Sequence, residues 1–227
     1  MSKQYRYFLP LARRQFIKGL GSATGTVMFA RAGTVWSQSA AGEVAAYTPR
    51  TLQSVELATL KAIMARLIPA DAHSGGAVEA RAYVYVDRAL SGFHAQHLPT
   101  YRSGLATLNA LAQKQGAASV ETLSVTDRDT LIARLEAGTV TEPIELDKKT
   151  FTLLPEGGKA LFTLILRHTI EGTFSDPMYG GNQQFIGWQL LGYAGVQFYF
   201  SEQAQAINGR QAYTNRSIAD FGGKPLP

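Results

Sequence analysis

The chain has 227 residues, no cysteine, and 22 Lys and Arg against 17 Asp and Glu, a formal charge of +5. That excess lies at the start: Lys3, Arg6, Arg13, Arg14, Lys18 and Arg31 precede the first carboxylate, Glu43, so residues 33–227 hold 16 basic and 17 acidic side chains, a net of −1. A surface that reads phosphates needs its basic residues on the folded part, so the charge gives no support to nucleic-acid binding. The missing cysteine excludes a thiolate nucleophile, an iron–sulfur cluster and covalent c-type haem attachment.

Residues 1–32 read as an export signal. A basic start is followed by a mildly apolar run from Gly19 to Ala30 and by Ala30-Arg31-Ala32, a small-x-small cleavage pattern. The run is too short for a membrane span of about 20 residues. Arg13-Arg14-Gln15-Phe16-Ile17-Lys18 resembles the twin-arginine (Tat) motif, with Arg13, Arg14, Phe16 and Lys18 as its marks and Ala12 as a departure from the usual Ser or Thr. Ser37-Gln38-Ser39 and Ser39-Ala40-Ala41 allow cleavage as late as residue 41. Gly19-x-Gly21-x-x-x-Gly25 approaches a dinucleotide fingerprint, but its spacing is one residue too long and no strand precedes it. The Tat route carries folded proteins, so the signal implies a periplasmic chain that either holds a cofactor or escorts a protein that does.

Residues 33–47 form a Gly/Ala/Ser-rich linker, and residues 48–227 read as one helical domain. Leu60, Ile63, Met64 and Leu67 stand at i, i+3, i+4 and i+7, one face of a helix that begins near Thr51 and stops at Pro69. Ala82, Val86, Ala89 and Leu90 repeat the spacing, although Tyr83-Val84-Tyr85-Val86 alone fits a strand. Leu105, Leu108 and Ala112 mark a helix from Pro99 to Gln115. Thr126-Asp127-Arg128-Asp129 reads as a variant capping box that opens a helix ending at Gly138. Thr139 to Leu154 reads as a loop or poor hairpin. Pro155 to Glu171 is apolar nearly all round, as befits a central helix. The polar tail after Ser201 is expected to run extended over the surface. The fold expected is an irregular all-α bundle with long loops.

Few residues offer chemistry. His94-x-x-His97 is framed by Gly92 and Pro99 as a loop, where a solvated pair is expected; with a carboxylate it is the alternative of an independent periplasmic metal-dependent enzyme, but no third ligand is evident nearby. His73 lies in a turn-rich connector. His168 reads as a satisfied core histidine with Glu171 at i+3 as a possible partner. No G-x-S-x-G elbow is present.

The concentrated signal runs from Glu171 to Tyr193. Gly172 suits the left-handed end of the central helix, Asp176-Pro177 opens a turn, Gly180-Gly181 permits positive φ, and Asn182 suits the cap of a short helix through Leu191. Trp188 and Tyr193 suit a surface pressed against a partner. Two other readings stay open: a ligand or anion cradle at Gly180, Gly181 and Asn182, and a structural loop that closes the core.

With Arg66-Leu67-Ile68-Pro69-Ala70-Asp71 and the leader, the block Gly172-Thr173-Phe174-Ser175-Asp176-Pro177-x-Tyr179-Gly180-Gly181-Asn182, followed by Gly187-Trp188 and Gly192-Tyr193, resembles the gluconate 2-dehydrogenase subunit 3 family over roughly residues 48–200. Ala194 stands where Pro is common. The resemblance implies a non-catalytic small subunit of a membrane-associated sugar or polyol dehydrogenase, with no catalytic residue, cofactor or metal of its own. It further implies a large partner of the glucose-methanol-choline oxidoreductase type that holds FAD and crosses through the Tat translocon with the small subunit. A multihaem cytochrome c subunit takes the electrons in many such complexes. Phe174, Asp176, Pro177, Tyr179, Gly180, Gly181, Asn182, Gly187, Trp188 and Tyr193 become the candidate partner-interface residues.

Overall fold

The computed structural model describes residues 47–197 except His73 and Asp147, and residues 215–224. The leader with Arg13, Arg14, Phe16 and Lys18, nearly all of the linker, and His73 lie outside the described residues.

Among the described residues six α-helices carry the fold: α1 (Ser54–Leu67), α2 (Ala82–Ala89), α3 (Leu98–Lys114), α4 (Val125–Ala137), α5 (Pro155–Phe174) and α6 (Ile186–Leu191). Local chemistry explains most of their ends. Glu56 reaches back from the first turn of α1 to the Gln53 N–H (2.7 Å), and Ile68-Pro69 stops the helix because proline disfavours helical geometry in the residue before it. Pro99 occupies the first turn of α3, where its missing N–H costs nothing. The cap of α4 is Ser124, not Thr126: its hydroxyl accepts from the Asp127 N–H (3.1 Å) and donates to the Asp127 carboxylate (2.6 Å), so the box begins two residues earlier than the sequence pattern suggested. The segment after α4 does form a hairpin, β1 (Ile144–Leu146) with β2 (Lys149–Phe151), antiparallel with Ile144 opposite Phe151.

α5 lies against α1, α2, α3, α4 and α6. Leu161 and Ile165 on its inner face meet Leu60, Ile63 and Met64 of α1, Leu105 and Leu108 of α3, and Leu131 and Leu135 of α4 in one core. The ambiguous Tyr83-Val84-Tyr85-Val86 is helical. Its apolar side chains are consecutive rather than alternating with polar ones, and α2 buries Ala82, Tyr83, Val84, Val86 and Asp87 among its neighbours. Tertiary burial here overrides the strand preference of β-branched and aromatic residues.

Asp87 is fully buried and closes the N-terminal entry of this domain. One carboxylate oxygen accepts from Tyr47 Oη (2.7 Å) and the Arg50 N–H (2.6 Å), the other from the Thr51 (3.1 Å) and Leu52 (2.7 Å) N–H groups. A buried carboxylate is tolerated only when its acceptor positions are filled in this way. Burial and the Asp87 contact push the Tyr47 hydroxyl up to about 12, so it remains a donor. No helix among the described residues is long and apolar enough to cross a membrane.

Candidate functional site

The Gly/aromatic block folds into a clasp at the end of α5. Gly172 does not end that helix. It sits inside it, and its role is close approach: a Cβ there would lie 2.7 Å from the Ala82 carbonyl oxygen and 2.9 Å from Ala82 Cα, both backbone atoms of α2. The chain then turns through Asp176, which caps a 3-10 turn at Pro177–Tyr179 by accepting from the Met178 N–H (3.0 Å). Gly180 takes the left-handed conformation (φ 102°), whereas Gly181 serves space, since its Cβ would lie 2.0 Å from the Gly172 carbonyl oxygen.

Asn182 locks the clasp. Its backbone N–H donates to the Gly172 carbonyl (2.8 Å), its Nδ2 donates to the Ser175 carbonyl (2.8 Å), and its Oδ1 accepts from the Gly187 N–H (2.8 Å) in the first turn of α6. The side chain therefore does the work of a helix cap although α6 begins four residues later, at Ile186. Asn182, Gln184 and Phe185 all have positive φ (45°, 55° and 60°), a cluster of left-handed non-glycine residues held in place by these bonds and by the stack of Phe185 on Trp188. Gly187 packs against the Thr173 carbonyl, and Trp188 Nε1 donates to the Phe174 carbonyl (2.7 Å), an acceptor orphaned at the end of α5.

Asp176 also captures the C-terminal segment. Its carboxylate accepts from Ser217 Oγ (2.5 Å) and from the Ile218 N–H (2.8 Å), while Gly195 pairs with Arg216 in a single parallel bridge. Residues 215–218 thus lie against the clasp, and a short 3-10 turn at Ile218–Phe221 continues from them.

The structure divides the candidate interface residues sharply. Asp176, Gly181, Asn182, Gly187 and Trp188 are buried, with Trp188 only 4% exposed. Phe174, Pro177, Tyr179 and Gly180 are half-buried. Tyr193 and its neighbour Leu191 are the exposed apolar side chains of the block, Tyr193 standing edge-on to Trp188 with centroids 5.1 Å apart. The buried members belong to the chain's own packing, so for them the reading as a structural loop describes the geometry. The anion cradle is likewise not built around Asn182, because an acceptor oxygen occupies the helix start. An open cleft of about 290 Å³ lies nearby, lined in part by Arg81, Arg88, Gly180, Gly181, Gln183 and Gln184.

A second constellation was hidden in the sequence. His94 is 3% exposed and hydrogen-bonded through Nε2 to Glu171 (3.2 Å), so the expected solvated pair is corrected: a loop of small and aromatic residues folds its histidines inward against α5. His94 stacks on His168 (centroids 4.2 Å, 21° between planes), and His97, half-buried, lies 5.9 Å from His94 and 5.8 Å from His168 by centroids. One ring nitrogen from each of the three lies within 4.8 Å of those from the other two. His168 Nδ1 meets the buried Tyr101 hydroxyl (3.0 Å), but its Nε2 is buried with no partner, so this core histidine is only half satisfied.

Glu171 does not pair with His168. Instead it takes His94, Tyr85 (3.0 Å) and Arg167 (2.8 Å). Burial opposes its charge, yet the hydrogen bonds from Arg167, Tyr85 and His94 hold the carboxyl below its ordinary range. Burial first, then the neighbouring His94, pushes the His168 ring down to about 4, so it is neutral near pH 7. Burial also raises the Tyr101 hydroxyl, which stays protonated. His168 as third member was not findable from spacing, because α5 brings it from far along the chain.

The profile of the family described as gluconate 2-dehydrogenase subunit 3 matches residues 54–195, well over half of the chain. The chain belongs to that family. The match runs from the first residue of α1 to Gly195 and so includes both the clasp and the histidine cluster of this subunit 3 chain, while Tyr47–Gln53 and the captured Arg216–Ile218 lie outside it. The family takes its name from one subunit of a dehydrogenase complex. No curated protein and no solved structure matches the chain.

Proposed function

We propose that this subunit binds and escorts a large FAD-containing dehydrogenase subunit through the Tat pathway and stabilises the assembled sugar- or polyol-oxidising complex. Membership in the subunit 3 family is the observation that carries this reading. The leader supports it: a chain with Arg13-Arg14-Gln15-Phe16-Ile17-Lys18 carries an address for folded cargo, and a partner bound in the cytoplasm travels on the same address. The complex then works in the periplasm at the outer face of the cytoplasmic membrane. FAD chemistry belongs to the large subunit, and a multihaem cytochrome c subunit is the electron acceptor.

Docking needs exposed apolar surface, since a stable interface buries about 1,600 Å² in total and its centre is anchored by aromatic and large aliphatic side chains. Phe93 (76% exposed), Leu154, Leu191 and Tyr193 are such side chains. The clasp beneath Leu191 and Tyr193 gives these two a rigid base, so they lose little freedom on binding.

The test is fractionation. The large subunit is co-expressed with this chain carrying Arg13→Lys and Arg14→Lys, and flavoprotein activity is measured in cytoplasm and periplasm. Retention of the activity in the cytoplasm is expected; undiminished periplasmic activity rejects the escort role.

A further inference from the structure

We infer that His94, His97 and His168 form a binding site for one divalent transition-metal ion of the zinc class. The first argument is donor chemistry. Three imidazoles converge, one ring nitrogen of each within 4.8 Å of the others, and imidazole nitrogen suits zinc and its first-row neighbours rather than calcium or magnesium.

The second argument is the unpartnered nitrogen. His168 is 1% exposed, yet its Nε2 has no hydrogen-bond partner. A buried polar atom left unpaired costs about 1–3 kcal/mol, which a metal bond at that atom removes. The ring is also fixed by its other nitrogen: Tyr101 holds Nδ1, leaving Nε2 as the uncommitted ligand atom of His168.

The outer contacts repeat the pattern of known metal histidines, in which the nitrogen that does not ligate is held by a carboxylate or other oxygen. Glu171 takes Nε2 of His94, which leaves Nδ1 of that ring as the ligating atom, and Tyr101 takes Nδ1 of His168. Glu171 is itself braced by Arg167 and Tyr85, so two oriented rings are prepared from α5 and its neighbours. His97 completes the set from a short 3-10 turn (Ala95–His97) and is the half-buried member. A tetrahedral ion with Zn–N near ~2.1 Å spaces its ligand nitrogens roughly 3.4 Å apart, so the cluster contracts on loading: the His94 and His168 rings, stacked at 21°, turn out of that stack so that both in-plane lone pairs meet the ion, and half-buried His97 closes in. Three protein ligands leave one position to water. Bound there, the ion ties the 92–97 loop to α5.

This inference does not rest on the escort reading. Its test uses the full-length, untagged chain, stripped with a chelator and titrated with zinc against a chromophoric competitor, and separately with cobalt(II) to read the visible bands of a tetrahedral site. One equivalent per chain is expected, with a higher Tm on loading. His97→Ala and His168→Gln should each weaken zinc at least tenfold. If His168→Gln does not fold, His97→Ala, on a half-buried turn and checked by circular dichroism, decides alone. Absence of stoichiometric binding, or wild-type affinity in His97→Ala, overturns the site.

Discussion

Replacing Asn182 by Ala removes Oδ1 from the Gly187 N–H and Nδ2 from the Ser175 carbonyl, both 2.8 Å contacts. The Gly187 N–H is buried, so it loses its partner without gaining water; each such orphan costs about 1–3 kcal/mol. Alanine also inherits φ 45°, a left-handed conformation that costs roughly 1–2 kcal/mol without a side chain able to bond locally. For the buried Gly187 N–H and the backbone together the loss is about 2–5 kcal/mol, and at 2–4 °C per kcal/mol for a domain of this size it lowers Tm by about 4–20 °C. Asn182→Gly makes the same hydrogen-bond deletions without the backbone cost, so it should retain about 1 kcal/mol more stability than Asn182→Ala. The assay is urea and thermal unfolding of the chain without its partner. A Tm within about 2 °C of wild type, with weakened partner binding, would refute the clasp and return Asn182 to the docking surface.

Three further outcomes follow from the same contacts. Asp87→Asn turns an NH₂ group toward one of the two donor pairs, so about 3–5 kcal/mol of stability is lost and the amides of Arg50–Leu52 exchange faster; unchanged exchange there contradicts the anchoring role. Gly172→Ala gains roughly 1 kcal/mol of helix propensity but drives a methyl into the Ala82 backbone, so a net loss of about 2 kcal/mol is expected in chemical denaturation, and a stabilised variant would show that α2 and α5 are free to separate. In metal-free protein, the unfolded chain binds a proton on His168 near pH 6.5 while the folded chain resists it down to about 4. The unfolded state therefore holds more protons across that window, and stability falls as pH drops from 6.5 towards 4. The Glu171 carboxyl, held below its ordinary range, adds a loss of the same sign at the acid end. Urea midpoints between pH 7 and 4.5 that show no such decline, or a decline that His168→Gln does not reduce, would contradict this.

Helix positions were legible wherever an apolar stripe met a hard stop. The Leu60, Ile63, Met64 stripe before Pro69 and the Leu105, Leu108, Ala112 stripe before Gly116 each lie where the spacing puts them, because burial on one face and a conformational break at the end are both local. What spacing could not supply was any role decided by a distant backbone. Gly172 looks like a helix terminator until α2 is placed against it. Asn182 looks like an ordinary cap, though its oxygen reaches five residues ahead. Asp87 shows no pattern at all, since its four donors come from the segment before α1. The histidines make the same point: His94-x-x-His97 is visible as a pair, but the ring that completes it is on α5 and looks like core.

Asp87 has a consequence for the order of events in the cell. Its hydrogen bonds reach back to Tyr47, and the cleavage patterns end by residue 41. On the proposed route a peptidase working there cuts upstream of the Tyr47, Arg50, Thr51 and Leu52 groups that Asp87 holds, so processing leaves those bonds in place. On the proposed route the domain can finish folding and take up its partner with the address still attached, and removal of that address leaves the grip of Asp87 on Tyr47 intact.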